Sequence, residues 1–426
     1  MRRLHTILIS LLLTSLLPSC TAERFEVDDG SIRLEFSADT LTFDTVFATV
    51  GTATRRITVY NRTSDHLRLS CVTLEQGRAS RFRLNVDGDT SLVAREIEIE
   101  SGDSIFIFAQ ACLGSGDERE PFLVEDAILF SNGQRLPLTA WGRNAIYHRR
   151  GPSDSTWYVA IDCQNWDHTL PHVFLDPAAV LEGNTLALTA GDELYFAPGT
   201  LLVIDSAARL IAQGTAERPV IFSSLRHDGW YSFLPGQWQT VWFYNYSVGN
   251  IIDHAVIENG IGGLRGYPMS QLRVSNTVIR NMSDCGIIGQ NATIDGRNLL
   301  VYDCYASLTV LAGGSYGFSR CTFAGYWSYN ARDIETVVLS NCMATPSGVV
   351  GGHLQRADFD DCIIWGSYHS GEMLLNTIAG YDMNYSVRHS IVRGGDWDED
   401  PLFTNPQEDD YTLQEDSPAA GIGYSF

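Results

Sequence analysis

Two adjacent carboxylates, Asp360 and Asp361, stand seven residues after the glycine-flanked histidine of Gly351-Gly352-His353. Paired carboxylates are ordinary machinery for general acid–base catalysis, and a histidine titrates near neutrality, so this cluster is a candidate proton-transfer site. Arg356 and Arg388 flank it, with Arg320 upstream. Asp396, Asp398 and Asp400 alternate as the ligands of a calcium loop would, although Pro401 stands where such a loop wants glycine. Calcium is the one cofactor the sequence leaves open. Cys304, Cys321, Cys342 and Cys362 lie 17 to 21 residues apart, without the close CxxC pairing of zinc sites.

Composition removes other chemistries. All 29 basic residues are arginine, so a P-loop lysine, a Schiff-base lysine and a lysine general base are excluded. A formal net charge of −22 disfavours nucleic acid and anionic membrane faces as partners. With 44% hydrophobic and 19% charged residues over 426 positions, the chain can bury large cores in more than one domain.

Residues 31–145 read as short strands of alternating pattern. Ile57 and Val59, Leu67 and Leu69, Phe82 and Leu84, Ile105 and Ile107, and Ile128 to Leu138 across Ser131-Asn132-Gly133-Gln134 form the series. About seven such strands without helical periodicity predict a β-sandwich, and the segment resembles the immunoglobulin-like modules of bacterial envelope proteins. Cys71 and Cys112 could bridge its sheets, but they read better as unpaired thiols; the states of Cys163 and Cys285 are not legible. Residues 146–179 read as a linker.

From residue 180 short apolar runs are broken by glycines, and beyond 250 a repeat appears. An apolar residue is followed by two turn formers, a small anchor, one free position and another apolar residue. The anchors are Ala255, Thr277, Cys304, Cys321, Cys342, Cys362 and Ser390, spaced 22, 27, 17, 21, 20 and 28 apart. A unit this short cannot bury its own apolar face and must stack on copies of itself. Residues 180–426 are therefore expected to form a parallel β-helix of roughly eleven coils, right-handed by the general crossover preference, with the four thiols in one interior column. The residues before the anchors, Asp361 among them, would then be bends, which offers a structural account of the aspartate pair.

The N-terminus carries a processing signal. Arg2 and Arg3 precede the apolar run Ile7 to Leu17, which is too short to span a bilayer, and Leu17-Pro18-Ser19-Cys20 resembles the lipobox of bacterial lipoproteins. That resemblance implies a signal peptide over 1–19, lipidation of Cys20 and a tether over 20–30. The chain would then be a membrane-anchored envelope protein on the outer membrane, facing the surface or the periplasm. A plain secretory signal remains the alternative.

The pattern from residue 180, with the closing segments Asp400-Pro-Leu-Phe-Thr-Asn-Pro406 and Ser417-Pro-Ala-Ala-Gly421, resembles the pectin-lyase-like β-helix superfamily, which includes lyases, hydrolases and proteins without enzymatic activity. Against the polygalacturonase pattern the histidine segment precedes the aspartates instead of following them, and the Arg-x-Lys element is absent. Arginine-based, calcium-dependent lyases survive the comparison, and that resemblance implies Arg320, Arg356 or Arg388 as the base. Aromatics form the other signal: eight lie between Trp230 and Tyr246, including Tyr231, Trp238, Trp242 and Tyr244, with further groups at Trp327 and at Trp365, Tyr368 and His369. Flat rings with a polar edge stack on sugar faces, and they also pack lateral loops. The expectation is an envelope lipoprotein presenting a β-helix for glycan binding or adhesion without catalysis, the alternative being a polysaccharide lyase or glycoside hydrolase; protein partners are not legible.

Overall fold

The computed structural model describes residues 26–27, 30, 32–47, 54–114, 121–226, 229–368 and 370–425. Cys20, the leader 1–19, most of the tether and His369 lie outside them. Two compact units divide at Arg143 and Asn144.

The first unit is a β-sandwich. One sheet holds Leu67–Leu74, Phe122–Phe130, Arg135–Arg143, Leu41–Phe47 and Val93–Ile99, with Glu26–Val27 at an edge; the other holds Glu35–Phe36, Arg55–Tyr60, Ser104–Ala111 and Phe82–Val86. Alternation sends Phe43, Ile57, Phe82, Ile107, Ile128 and Leu138 into one shared core. Phe122–Phe130 and Arg135–Arg143 form a hairpin whose turn includes Gly133 at φ 83°, a conformation glycine adopts at little cost. Cys71 and Cys112 are both free thiols.

The second unit is a parallel β-helix, its strands joined in a 21-stranded sheet wound into three faces. The A face stacks Ile146–His148, His172–Phe174, Glu193–Phe196, Val220–Ser224 and Ala255–Glu258, and later Thr322–Gly325, Ile363–Gly366 and Ile391–Val392. The B face stacks Val159–Ala160, Ala178–Val180, Leu202–Ile204, Val241–Phe243 and Gly262–Gly266, and later Val337–Ser340 and Met373–Asn376. The C face includes Arg209–Gln213, Asn250–Asp253, Leu354–Asp360 and Ser386–Arg388. Between them Gln271–Ser319 is one continuous strand that passes the corners and contributes to every face. Residues 146–179 are thus not a linker. Their strands are the first coils, and the short apolar runs His172–Phe174 and Ala178–Val180 are wholly buried because both neighbours in the stack cover them.

Single left-handed residues turn the corner from the C face to the A face: His254, Asn276, Asn298, Arg320, Asp361 and His389 all have φ between 46° and 54°. Asparagine tolerates this region best and supplies a ladder, Asn298 Nδ2 donating to Asn276 Oδ1 (3.0 Å) and Asn276 Nδ2 to Asp253 Oδ1 (2.8 Å). The anchor column beside it corrects the expected one. Thr277 Oγ1 accepts from Ala255 N and Ser390 Oγ from Cys362 N, and Cys321 stacks with Cys362, but Leu299 occupies the rung expected of Cys304. Cys342 follows the B face and pairs in a short hairpin. The thiols are buried, yet only two of the four share the column. Inward phenylalanines such as Phe318, Phe323 and Phe359 fill the core, each worth about 1.5–3 kcal/mol of transfer free energy. No helix of the described residues is long and apolar enough to cross a membrane.

Candidate functional site

A second set of left-handed corners leaves the A face at Asn259, Asn281 and Asp303, 22 residues apart, with φ of 65°, 60° and 47°. Two side-chain ladders rise there together. Glu258 accepts from Arg280 Nε (2.8 Å), and Arg280 Nη1 donates to Tyr302 Oη (3.0 Å). Alongside, Asn281 Nδ2 donates to Asn259 Oδ1. The next rung is an acid, Asp303.

Asp303 meets Asp409. Asp409 is a left-handed residue (φ 61°) at the start of the hairpin strand Asp410–Leu413, and the two carboxyl groups are within hydrogen-bonding reach. Burial, the shared hydrogen bond and the charge of Asp409 push Asp303 up to about 8, against the opposing pull of Arg280. The pair therefore keeps a proton well above the pH at which an ordinary carboxyl loses it. The Tyr411 ring lies 4.8 Å from that of Tyr302 at a tilt of 47°, and among the described residues its buried hydroxyl lacks a hydrogen-bond partner.

The lateral turn Gly229–Phe233 projects beside these ladders. Asn281 Nδ2 and Tyr329 Oη both donate to the Phe233 carbonyl, Asn259 Nδ2 to that of Ser232 and Gln237 Nε2 to those of Tyr231 and Leu234. Trp230 is 73% exposed and Phe233 68%. Tyr329, also exposed, has its pKa raised first by burial and then by the charges of Asp303 and Asp409, which ties the aromatic group to the acid pair.

The other aromatics separate into surface and packing roles. Tyr244 is exposed and Tyr231 half-buried beneath Arg226, whereas Trp238 is fully buried, stacked 4.4 Å from Phe196 and donating to the Glu258 carbonyl. Trp327 and Trp365 are buried too, the latter against Arg393. Trp242 is half-buried against Tyr267, and Tyr368 ties its hydroxyl to the Arg332 carbonyl. Trp238, Trp327 and Trp365 therefore cannot offer a ring face to a sugar.

The predicted aspartate cluster does not assemble. Asp360 points outward from the C face and is gripped by both forks of Arg388 (2.6 and 2.7 Å), while Asp361 turns the corner and meets His389 (2.6 Å). His353 sits at the far end of the same strand, about 23 Å away at strand rise, paired with Asp382. Arg356 bonds Asp295 (2.5 Å) and Arg320 is a corner residue. Asp396, Asp398 and Asp400 are exposed, and the described residues hold no group of three ligands placed for a metal.

Sequence reading placed Asp303 among the bends and missed its partnership with Asp409. The readable signal was its spacing, one ladder step beyond Asn281 in a position otherwise held by asparagine.

No family model matches the chain, and no curated protein matches it. Among solved structures, the catalytic domain of a GH87 alpha-1,3-glucanase in complex with tetrasaccharides is 11% identical, the match covering 82% of this chain and 90% of that chain with a TM-score of 0.17.

Proposed function

We propose that the chain is a bacterial envelope lipoprotein, lipidated at Cys20 of the outer membrane, whose β-helix recognises a glycan along the edge formed by Trp230, Phe233 and Tyr329. The sandwich then serves as an immunoglobulin-like spacer that holds the β-helix off the membrane. The observation that carries the reading is two highly exposed rings on a turn fixed by hydrogen bonds from Asn259, Asn281 and Tyr329. A preorganised apolar ledge with polar groups beside it binds a sugar face with little loss of side-chain freedom. Probing a glycan array with the chain lacking residues 1–20 tests it. Binding that falls about tenfold in Trp230→Ala and Phe233→Ala supports the reading; binding unaffected by both substitutions, or no binding to any glycan, removes it.

A second reading, glycosidic cleavage, draws on Asp303, a carboxyl whose pKa is raised by burial and by Asp409, as that of a general acid must be. Against it, the Asp303 and Asp409 carboxyls touch, whereas retaining and inverting glycosidases separate theirs by about 5–5.5 and 6.5–9.5 Å. New reducing ends or unsaturated uronates released from a polysaccharide by purified protein, and lost in Asp303→Asn, would favour this second reading.

A further inference from the structure

Outward positions of the C face carry charges of both signs in neighbouring coils. One column runs Arg273, Asp295, Gly317, Asp358; the next runs Ser275, Arg297, Ser319, Asp360, Arg388. Where Gly317 and Ser319 replace long side chains the face sinks into a trough of about 390 Å³. Its floor is Gly317, where an added Cβ would lie 3.0 Å from Asp295 Oδ1 and 3.1 Å from Arg356 Nη2, so the Arg356–Asp295 bridge crosses the trough only because that residue is glycine.

The lining charges are not equally committed. Asp295 is neutralised by Arg356, Asp360 by Arg388, and Asp358 accepts the Ser386 hydroxyl (2.6 Å). Arg273 and Arg297 are exposed, and among the described residues neither has an acidic partner. Three arginines and three aspartates line the trough, which makes it formally neutral on a chain of net charge −22, with Arg388 beside it on Asp360. Two uncommitted guanidinium forks and the Ser319 hydroxyl approach the trough from three successive coils, at steps of about 4.8 Å. One fork satisfies a planar carboxylate, whereas two forks and a hydroxyl along one face suit an anion with three peripheral oxygens.

We infer that this trough binds a sulfate or phosphate ester, a tetrahedral oxyanion carried on a sugar, through Arg273 and Arg297. The hydroxyls of the same sugar fall to Asp358, the lining carboxylate whose hydrogen bond comes from a serine hydroxyl and not from an arginine. The site lies on a different face from the aromatic edge, and neither depends on the other.

Calorimetric titration of the full chain tests it, with four tetrasaccharides of one length: sulfated, phosphorylated, carboxylated and unmodified. The expected result is binding of the sulfated or the phosphorylated form, whichever is the natural chemistry, at least tenfold tighter than the other two. The double substitution Arg273→Gln with Arg297→Gln abolishes that preference, Arg273→Lys with Arg297→Lys keeps part of it, and Trp230→Ala leaves it intact. An unchanged melting temperature in the double variants shows that the fold survives. Equal binding of the carboxylated or unmodified form, undiminished binding by the glutamine pair, or no binding of any ester overturns the inference. Loss of ester preference in Trp230→Ala overturns its independence from the aromatic edge.

Discussion

The carboxyl group of Asp303, on a corner of the coil stack, lies against that of Asp409 in the C-terminal hairpin. Its folded-state pKa of about 8 stands well above the ordinary 3.8. Between those values the unfolded chain gives up the proton and the folded chain keeps it, so this group makes stability fall as pH rises from about 4 to about 8. Melting temperatures of the wild type should decline across that window relative to Asp303→Asn, whose amide keeps a donor toward Asp409 without a titration. Parallel curves would refute the shared-proton description.

His148 gives the opposite slope. Burial and then the neighbouring His172 bring it down to about 4, while its Nε2 lies 2.8 Å from His172 Nδ1 and its ring stacks 4.4 Å from Phe174. The unfolded chain binds its proton near 6.5 and the folded chain does not, so this stability is lost as pH falls from about 6.5 to about 4. His148→Phe, which keeps the stack, should lose less stability over that interval than the wild type in thermal melts.

Arg332 and Glu372 form a buried ion pair at 2.6 Å, their side chains 3% and 0% exposed. Glu372 also accepts from Thr336 N and Oγ1 and from Tyr368 N, joining two lateral loops. Glu372→Ala strands the guanidinium and should cost about 3–5 kcal/mol in denaturant unfolding, while Arg332→Met with Glu372→Met should recover most of it. A loss below about 1 kcal/mol would mean that water reaches the pair.

Five of the eight described cysteines are buried, and burial raises Cys285 to about 12 and Cys304 and Cys362 well above the ordinary thiol value. In the chain lacking residues 1–20, iodoacetamide under native conditions should label no more than Cys71, Cys112 and Cys163, with all eight remaining cysteines reacting after denaturation. Native labelling of Cys321 or Cys362 would place the anchor column outside the core.

The sandwich and the coil stack were legible because period-two alternation, turn clusters and small anchors are local properties of the chain. So were most of the corners, since Asn276 and Asp361 tolerate left-handed backbone wherever they stand, although at the rung of Asn298 the sequence pointed to Asp303 instead. The register slipped at Cys304, because an apolar residue three positions before a small one also fits Val301, and only the strand ladder shows Val301 paired with Phe323, which makes Leu299 the anchor of that rung. Residues 146–179 were misread because strands of two or three residues carry almost no pattern until a neighbouring coil covers them.

Sequence by itself determined the repeat, the absence of lysine chemistry and the aromatic enrichment, all of which follow from residue type and spacing. Tertiary structure decided which rings are exposed, which carboxylates meet and which arginines are left without a partner. Those outcomes depend on contacts between residues far apart in the chain, such as Trp238 under Phe196 and Asp409 against Asp303, and burial and pairing there are set by the packing of whole coils and of the C-terminal segment rather than by neighbouring residues.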